Sequence, residues 1–198
     1  LRGQPLGHGF MSAYGAGAII DGLTNTALTY YLLFYLTSVC GFSGSAAGGA
    51  LLAGLLLDAV ADPFIGLLSD NWRSRHGRRL PFMAAGTVPL AISFASLFAV
   101  PVGLHGLSLT IYITLCALAV RVGMSVFILP YNAVVAEVSD DFKERSTIVA
   151  YRVSFSILGA FLAIALGLGF FMAGPAGLLH RAGYAAFGWT CSAVIVLA

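Results

Sequence analysis

The stretch Gly54-Leu-Leu-Leu-Asp58-Ala-Val-Ala-Asp62-Pro63-Phe-Ile-Gly66-Leu-Leu-Ser-Asp70-Asn-Trp-Arg73-Ser-Arg75-His76-Gly77-Arg78-Arg79 passes without a break from an apolar run into a cluster of arginines. The apolar part belongs to a run from Ala47 to Leu68, long enough to cross a hydrocarbon core, which takes about 20 residues of helix. The arginines mark its end. Within the run, Asp58 and Asp62 stand four residues apart, which puts both on one helix face, one turn from each other.

Outward from this stretch, the chain reads as more of the same. Tyr14 to Val39, Pro81 to Val100, Leu107 to Val135, Ile148 to Ala173 and Tyr184 to Ala198 are further apolar runs. Together they predict an all-α membrane protein, a bundle of six transmembrane helices over 13–198 behind an amino-terminal tail, 1–12. Composition agrees, with 59% hydrophobic and 9% charged residues among 198 and a mean hydropathy of +0.93, where soluble domains carry about 25% charged residues. The first run is too long for a cleaved signal segment and is followed by five others. The last run ends without a polar flank and the chain opens on Leu1, so a longer protein is expected.

Charge distribution sets an expected orientation. Arg2, then Arg73, Arg75, Arg78 and Arg79, then Lys143 and Arg145 lie before the first span and after the second and fourth, whereas the other loops offer Arg181. Cationic loops stay on the cytoplasmic side, so the amino terminus is expected there, in a cell inner membrane. Loops at 43–45, 101–106 and 174–183 fall outside.

Several function classes are excluded by what is missing. No phosphate-binding loop, catalytic triad or metal-ligand spacing occurs, and the glycines lie inside apolar helices rather than between a strand and a helix. Neither an enzyme nor a nucleic-acid-binding protein is expected. Cys40, Cys116 and Cys191 are scattered in apolar sequence and read as small packing residues. Gly15, Gly17 and Gly22, and again Gly48, Gly49 and Gly54, offer small surfaces for close helix contact. His8, His76, His105 and His180 fall in the tail or loops, and Tyr30, Tyr31, Phe34 and Tyr35 read mainly as packing residues.

Ionisable residues inside a span cost about 2.5 kcal/mol or more at the bilayer centre, and those present face a cavity or a partner. Asp58 and Asp62 then read as a site for Na+ or H+, since hard cations take oxygen ligands and a carboxylate pair can share a proton. The alternative is a structural ion pair to a neighbouring helix. Arg121, near the middle of the fourth span, matches Asp58 in depth. If it reaches the carboxylates, it supplies a fixed positive charge where a metal ion would bind; if it faces substrate, its planar fork grips hydroxyl or anionic groups. Asp21 with Asn25 in the first span, and Arg152 in the fifth, are candidates for substrate contact or charge pairing.

The loop from Gly66 through Asp70, Arg73, Arg75, Gly77, Arg78 and Arg79 resembles the signature cytoplasmic loop of the major facilitator superfamily. More narrowly, Asp58-Ala-Val-Ala-Asp62-Pro63, Leu129-Pro130-Tyr131-Asn132-Ala133, Asp141-Phe-Lys143-Glu144-Arg145 through Tyr151-Arg152, and Tyr14-Gly-Ala-Gly17 resemble the glycoside-pentoside-hexuronide:cation symporter family. The resemblance covers the first five spans. It implies the amino-terminal half of a twelve-helix transporter that carries a small-molecule substrate by alternating access, driven by a Na+ or H+ gradient and needing no cofactor. By the same resemblance, Asp58 and Asp62 fall on the cation-site aspartates, where the metal ion expected is Na+. Arg152 falls on the helix 5 arginine, and Asp70, Arg73 and Arg75 on a loop that latches the halves together. Two positions depart from the pattern: Ile128 and Gly22 stand where relatives carry aspartates on helices 4 and 1.

The expected substrate is a sugar or glycoside, with a lysolipid or other amphiphile as the alternative the wider family allows. The expected partners are membrane lipid and either a carboxy-terminal six-helix half or a second copy. A non-transporting six-helix subunit of a larger complex is the reading from another class.

Overall fold

The computed structural model describes residues 7–72, 79–138, 141–175 and 177–198. Arg2 of the tail, and Arg73, Arg75, His76, Gly77 and Arg78 of the loop, lie outside the described residues.

Each of the six apolar runs is a helical rod. The first is α1 (His8–Ala16) and α2 (Ala18–Ala27), prolonged by π-helical turns at Leu28–Leu32 and Tyr35–Val39. The rod starts at His8, inside the stretch read as tail. Then come α3 (Gly44–Asn71), α4 (Leu80–Phe98), α5 (Gly106–Val138), α6 (Phe142–Ile164) with wide turns at Ala165–Phe171, and α7 (Arg181–Leu197). Four rods pass on length and apolarity alone as membrane-crossing helices: Gly44–Asn71, Leu80–Phe98, Gly106–Val135 and Phe142–Phe171. The first rod is interrupted at Gly17 and the last is 17 residues long.

Local chemistry sets the boundaries. Ser43 caps α3 by accepting from the Ala46 N–H at 3.3 Å, and Asp141 caps α6 by accepting from the Glu144 N–H at 3.2 Å, each supplying an acceptor to one orphaned donor of a first turn. Between the first rod and α3 the chain reverses at Gly41, whose φ of 69° is one that glycine adopts without strain. Pro63, Pro89 and Pro130 sit inside α3, α4 and α5. Each lacks the N–H that would bond four residues back.

Packing is pairwise, α4 along α5, α2 along α6, α4 along α7 and α3 along α5. An aromatic cluster seals the end near the α4–α5 loop: Tyr35 stacks on Tyr184 at 4.4 Å, Phe94 lies 5.0 Å from Phe98, and Phe98 meets Phe187 edge-on at 5.5 Å. At the opposite end, Tyr14 and Tyr131 stack at 4.5 Å, and each hydroxyl donates to the other's carbonyl. Glycine makes the α2–α6 crossing possible. A Cβ on Gly22 would run into the backbone of Ser156, and one on Gly159 into that of Ile19.

The two glycine clusters therefore do different things. Gly15, Gly17 and Gly22 each lie against α5 or α6, but Gly48 and Gly49 have nothing within 4 Å of a Cβ. Only Gly54 of that second group faces a neighbour, the Arg121 side chain. The α3 rod is the least covered, with Leu52, Leu56, Val60, Phe64 and Leu67 exposed. Of the aromatic series in the first rod, Tyr31 and Tyr35 are buried and Tyr30 is exposed.

Candidate functional site

A cavity of about 550 Å³ opens between the first rod, α3 and α5. Four of the sequence-predicted residues meet there with Arg121: Asp21 and Asn25 from α2, and Asp58 and Asp62 from α3. The α2 wall is pre-arranged, because the Asn25 side-chain amide donates to Asp21 Oδ1 at 2.6 Å and to the Asp21 carbonyl at 3.1 Å. Opposite, Arg121 Nη1 donates to Asp58 Oδ2 at 2.9 Å, an ion pair with side-chain exposures of 32% and 21%. Of the two sequence-level alternatives for Arg121, the geometry realises the pairing with Asp58. Its remaining exposure keeps it on the cavity wall.

Asp62 is in a different situation. Its Oδ1 is buried and accepts no hydrogen bond from the described residues. A buried carboxylate oxygen without a donor is costly and calls for a proton or a cation. The carboxylate pair is thus asymmetric, one member paired with a neighbouring helix and the other with an oxygen that no donor among the described residues reaches. Among the described residues no group of three His, Cys, Asp or Glu side chains gathers as a metal site.

The rest of the lining is aliphatic. Leu28, Leu32, Leu33, Leu97, Met124 and Ile128 supply much of the wall, and among the described residues no aromatic side chain lines it. At the two departures from the family pattern, Ile128 presents a hydrocarbon face to the cavity, while Gly22 is spent on the α2–α6 crossing. The adjacent Asp21 is the acid that α2 turns to the cavity.

Arg152 does not reach this cavity. It lines a neighbouring one of about 140 Å³ with Asp21, Tyr131, Asn132 and Ser156, and its Nη1 donates to Asn132 Oδ1 at 2.6 Å. Asp21 lies on the wall between the two. Asn132 and Tyr131 of the smaller cavity and Ser125 on the wall of the larger one are not among the candidates named from the sequence; the Leu129–Ala133 motif contains the first two, and Ser125 gives no signal beyond its place one turn from Arg121.

At the far end of α3, Gly66 has open space around it, and Asp70 pairs with Arg79 at 3.1 Å, tying the end of α3 to the start of α4. Asp70 is 60% exposed in this pair. His8 is exposed with its ring 3.1 Å from the Tyr151 hydroxyl.

Comparison with known proteins places this architecture. The model of the family described as MFS/sugar transport protein matches residues 13–198. The chain belongs to that family. It is an integral membrane protein with the amino-terminal half of the major facilitator fold, and its relatives are symporters rather than enzymes. An uncharacterized symporter of Synechocystis is 38% identical over 159 residues, 78% of this chain and 29% of the relative. The "Putative glycoside/cation symporter YagG" of Escherichia coli is 30% identical over 147 residues, 74% of this chain and 32% of the relative. A "Sodium-dependent lysophosphatidylcholine symporter 1-A" of Danio rerio is 28% identical over 146 residues, covering 73% and 27%. Each match thus spans less than a third of the relative's own length.

Proposed function

We propose that this chain supplies the amino-terminal half of a secondary active transporter, which carries a sugar or glycoside together with a cation, H+ or Na+, by alternating access. The observation that carries the reading is the cavity on which an Asp21–Asn25 pair faces the Asp58, Asp62 and Arg121 group. Asp58 and Asp62 form the coupling site, because Asp62, with an oxygen that no donor among the described residues reaches, exchanges a cation or a proton as it is exposed to each side, one turn from the Asp58–Arg121 pair. Asp21 and Asn25 offer acceptors and donors to substrate hydroxyls. The other wall comes from a carboxy-terminal bundle or a second copy, packed over the exposed α3 and α6 faces. The amino terminus and the Asp70 loop face the cytoplasm, where that loop latches the halves.

A second reading, transport of a lysolipid or similar amphiphile, is favoured by the aliphatic lining and its lack of aromatic side chains. Hydrocarbon chains need only apolar wall, whereas sugar rings are commonly stacked on aromatic faces. The printed names of the relatives span both, a glycoside/cation symporter and a sodium-dependent lysophosphatidylcholine symporter.

The test is uptake by the protein expressed at its full coding length and reconstituted in proteoliposomes. Labelled glycosides and a labelled lysophosphatidylcholine are offered under an imposed Na+ or H+ gradient. Concentrative, gradient-dependent uptake of a glycoside supports the first reading, and of the lysolipid the second. Equal entry of every solute with and without gradients refutes coupling.

A further inference from the structure

Gly54, Asp58 and Asp62 recur every four residues and so descend one face of α3. Arg121 crosses onto that face from α5. Its side chain runs past Gly54, where a Cβ would stand 3.5 Å from its Cγ and 3.6 Å from its Nε, and ends 2.9 Å from Asp58 Oδ2. With no side chain at position 54, the long stem has a clear track to the carboxylate. One turn further, Asp62 Oδ1 is buried without a donor among the described residues. The groups facing Asp62 are Asp58 on its own helix, Arg121 from α5, and Asp21 from α2 across the cavity.

This arrangement separates two roles that a bare carboxylate pair would share. A hard cation is held by several oxygens at once, and Arg121 both engages an Asp58 oxygen and places a permanent positive charge beside it, because a guanidinium does not lose its proton. A metal ion meets repulsion at Asp58. A proton does not need Asp58, because one O–H bond on Asp62 neutralises that carboxylate.

We propose that Arg121 sets the ion selectivity of this transporter: it acts as a built-in counter-cation on Asp58 and keeps Na+ out of the carboxylate pair, leaving Asp62 as the carboxylate with an oxygen that no donor among the described residues reaches. The proposal rests on the reading of Asp58 and Asp62 as the coupling site.

The probe is radioactive Na+ at fixed pH, with choline chloride holding ionic strength constant, on the protein at its full coding length. The unmodified protein is expected to bind no Na+ above the level of an Asp62→Asn variant. Arg121→Gln should gain saturable Na+ binding absent from the unmodified protein, since removing the guanidinium frees the Asp58 oxygen it engages and removes the charge beside it. The double variant Asp58→Asn with Arg121→Gln should lose that gain. Because Arg121→Gln strands Asp58, Gly54→Leu serves as a second route, keeping every charge while pushing the guanidinium off its track, and should give the same gain. Saturable Na+ binding by the unmodified protein that Asp58→Asn abolishes overturns the proposal while leaving the coupling site intact. If no variant gains Na+ binding, the selectivity role is overturned; if, in addition, Asp62→Asn leaves proton-driven uptake unchanged, the coupling reading falls with it.

Discussion

Replacing Gly22 by alanine tests whether the α2–α6 crossing is as close as it looks. The new Cβ would stand 2.6 Å from the Ser156 carbonyl carbon and 2.9 Å from its Cα. Carbon atoms rest at about 3.5 Å or more, and the Ser156 carbonyl oxygen lies nearer still, so the helices must part by more than about 0.9 Å. The obstacle is backbone, which has no rotamer to change, and overpacking of this kind costs about 1–3 kcal/mol. Alanine also gains about 1 kcal/mol over glycine in helix propensity, which masks part of the loss. Gly9→Ala supplies the control, because Gly9 is helical and a Cβ there has nothing within 4 Å. In the difference between the two variants the propensity gain largely cancels, leaving the steric penalty. Unfolding each in mixed detergent micelles with rising dodecyl sulfate should place Gly22→Ala below Gly9→Ala by about 1–3 kcal/mol. A difference within about 0.5 kcal/mol, the scatter of innocuous surface changes, would refute the close crossing.

Removal of the Asp58 carboxylate in Asp58→Ala strands Arg121, and breaking a buried pair costs about 3–5 kcal/mol; the partial exposure of this one brings the expected loss below that range, while Asp62→Ala, which strands nothing, should melt close to the unmodified protein. In uptake assays, however, Asp62→Asn should abolish gradient-driven accumulation, and normal accumulation would remove Asp62 from the coupling site. Asp70→Asn breaks the exposed pair with Arg79, worth at most about 1 kcal/mol. It should shift the population toward the inward-facing form by up to about fivefold, and unchanged cysteine labelling from the outer side would count against a latch. Tyr131→Phe removes one of the two hydroxyl-to-carbonyl bonds with Tyr14 and should cost about 1 kcal/mol, read from the same micelle unfolding series.

The six rods were readable because a membrane favours apolar helix, and each run marks its own rod. The Asp58–Arg121 pair was readable for a related reason: charges in hydrocarbon are few, and depth along each span limits which can meet. Other features left no such trace. The break at Gly17 and the π-helical turns at Leu28–Leu32 and Tyr35–Val39 lie within one unbroken apolar run, and hydropathy does not register a change of hydrogen-bond pattern. Gly48 and Gly49 look like Gly15 and Gly22 on paper, because composition does not say which face of a helix meets a neighbour. Arg152 lines a different cavity from Arg121 because Asn132, rather than a carboxylate, holds it, and an amide partner carries no charge signal to search for.

Pro63 follows Asp62 directly and interrupts the ladder of α3. Without an N–H at that position, the Ala59 carbonyl has no donor four residues on, and its oxygen lies in the turn between the two carboxylates. The continuous rod thus lacks one rung of its ladder just below the acids, between the segment bearing Asp58 and Asp62 and the segment ending at Asp70. Bending there breaks no backbone hydrogen bond of the regular ladder at position 63, since none exists to break. The two carboxylates and the Asp70–Arg79 ion pair therefore lie on opposite sides of a turn that has one backbone hydrogen bond fewer to resist bending.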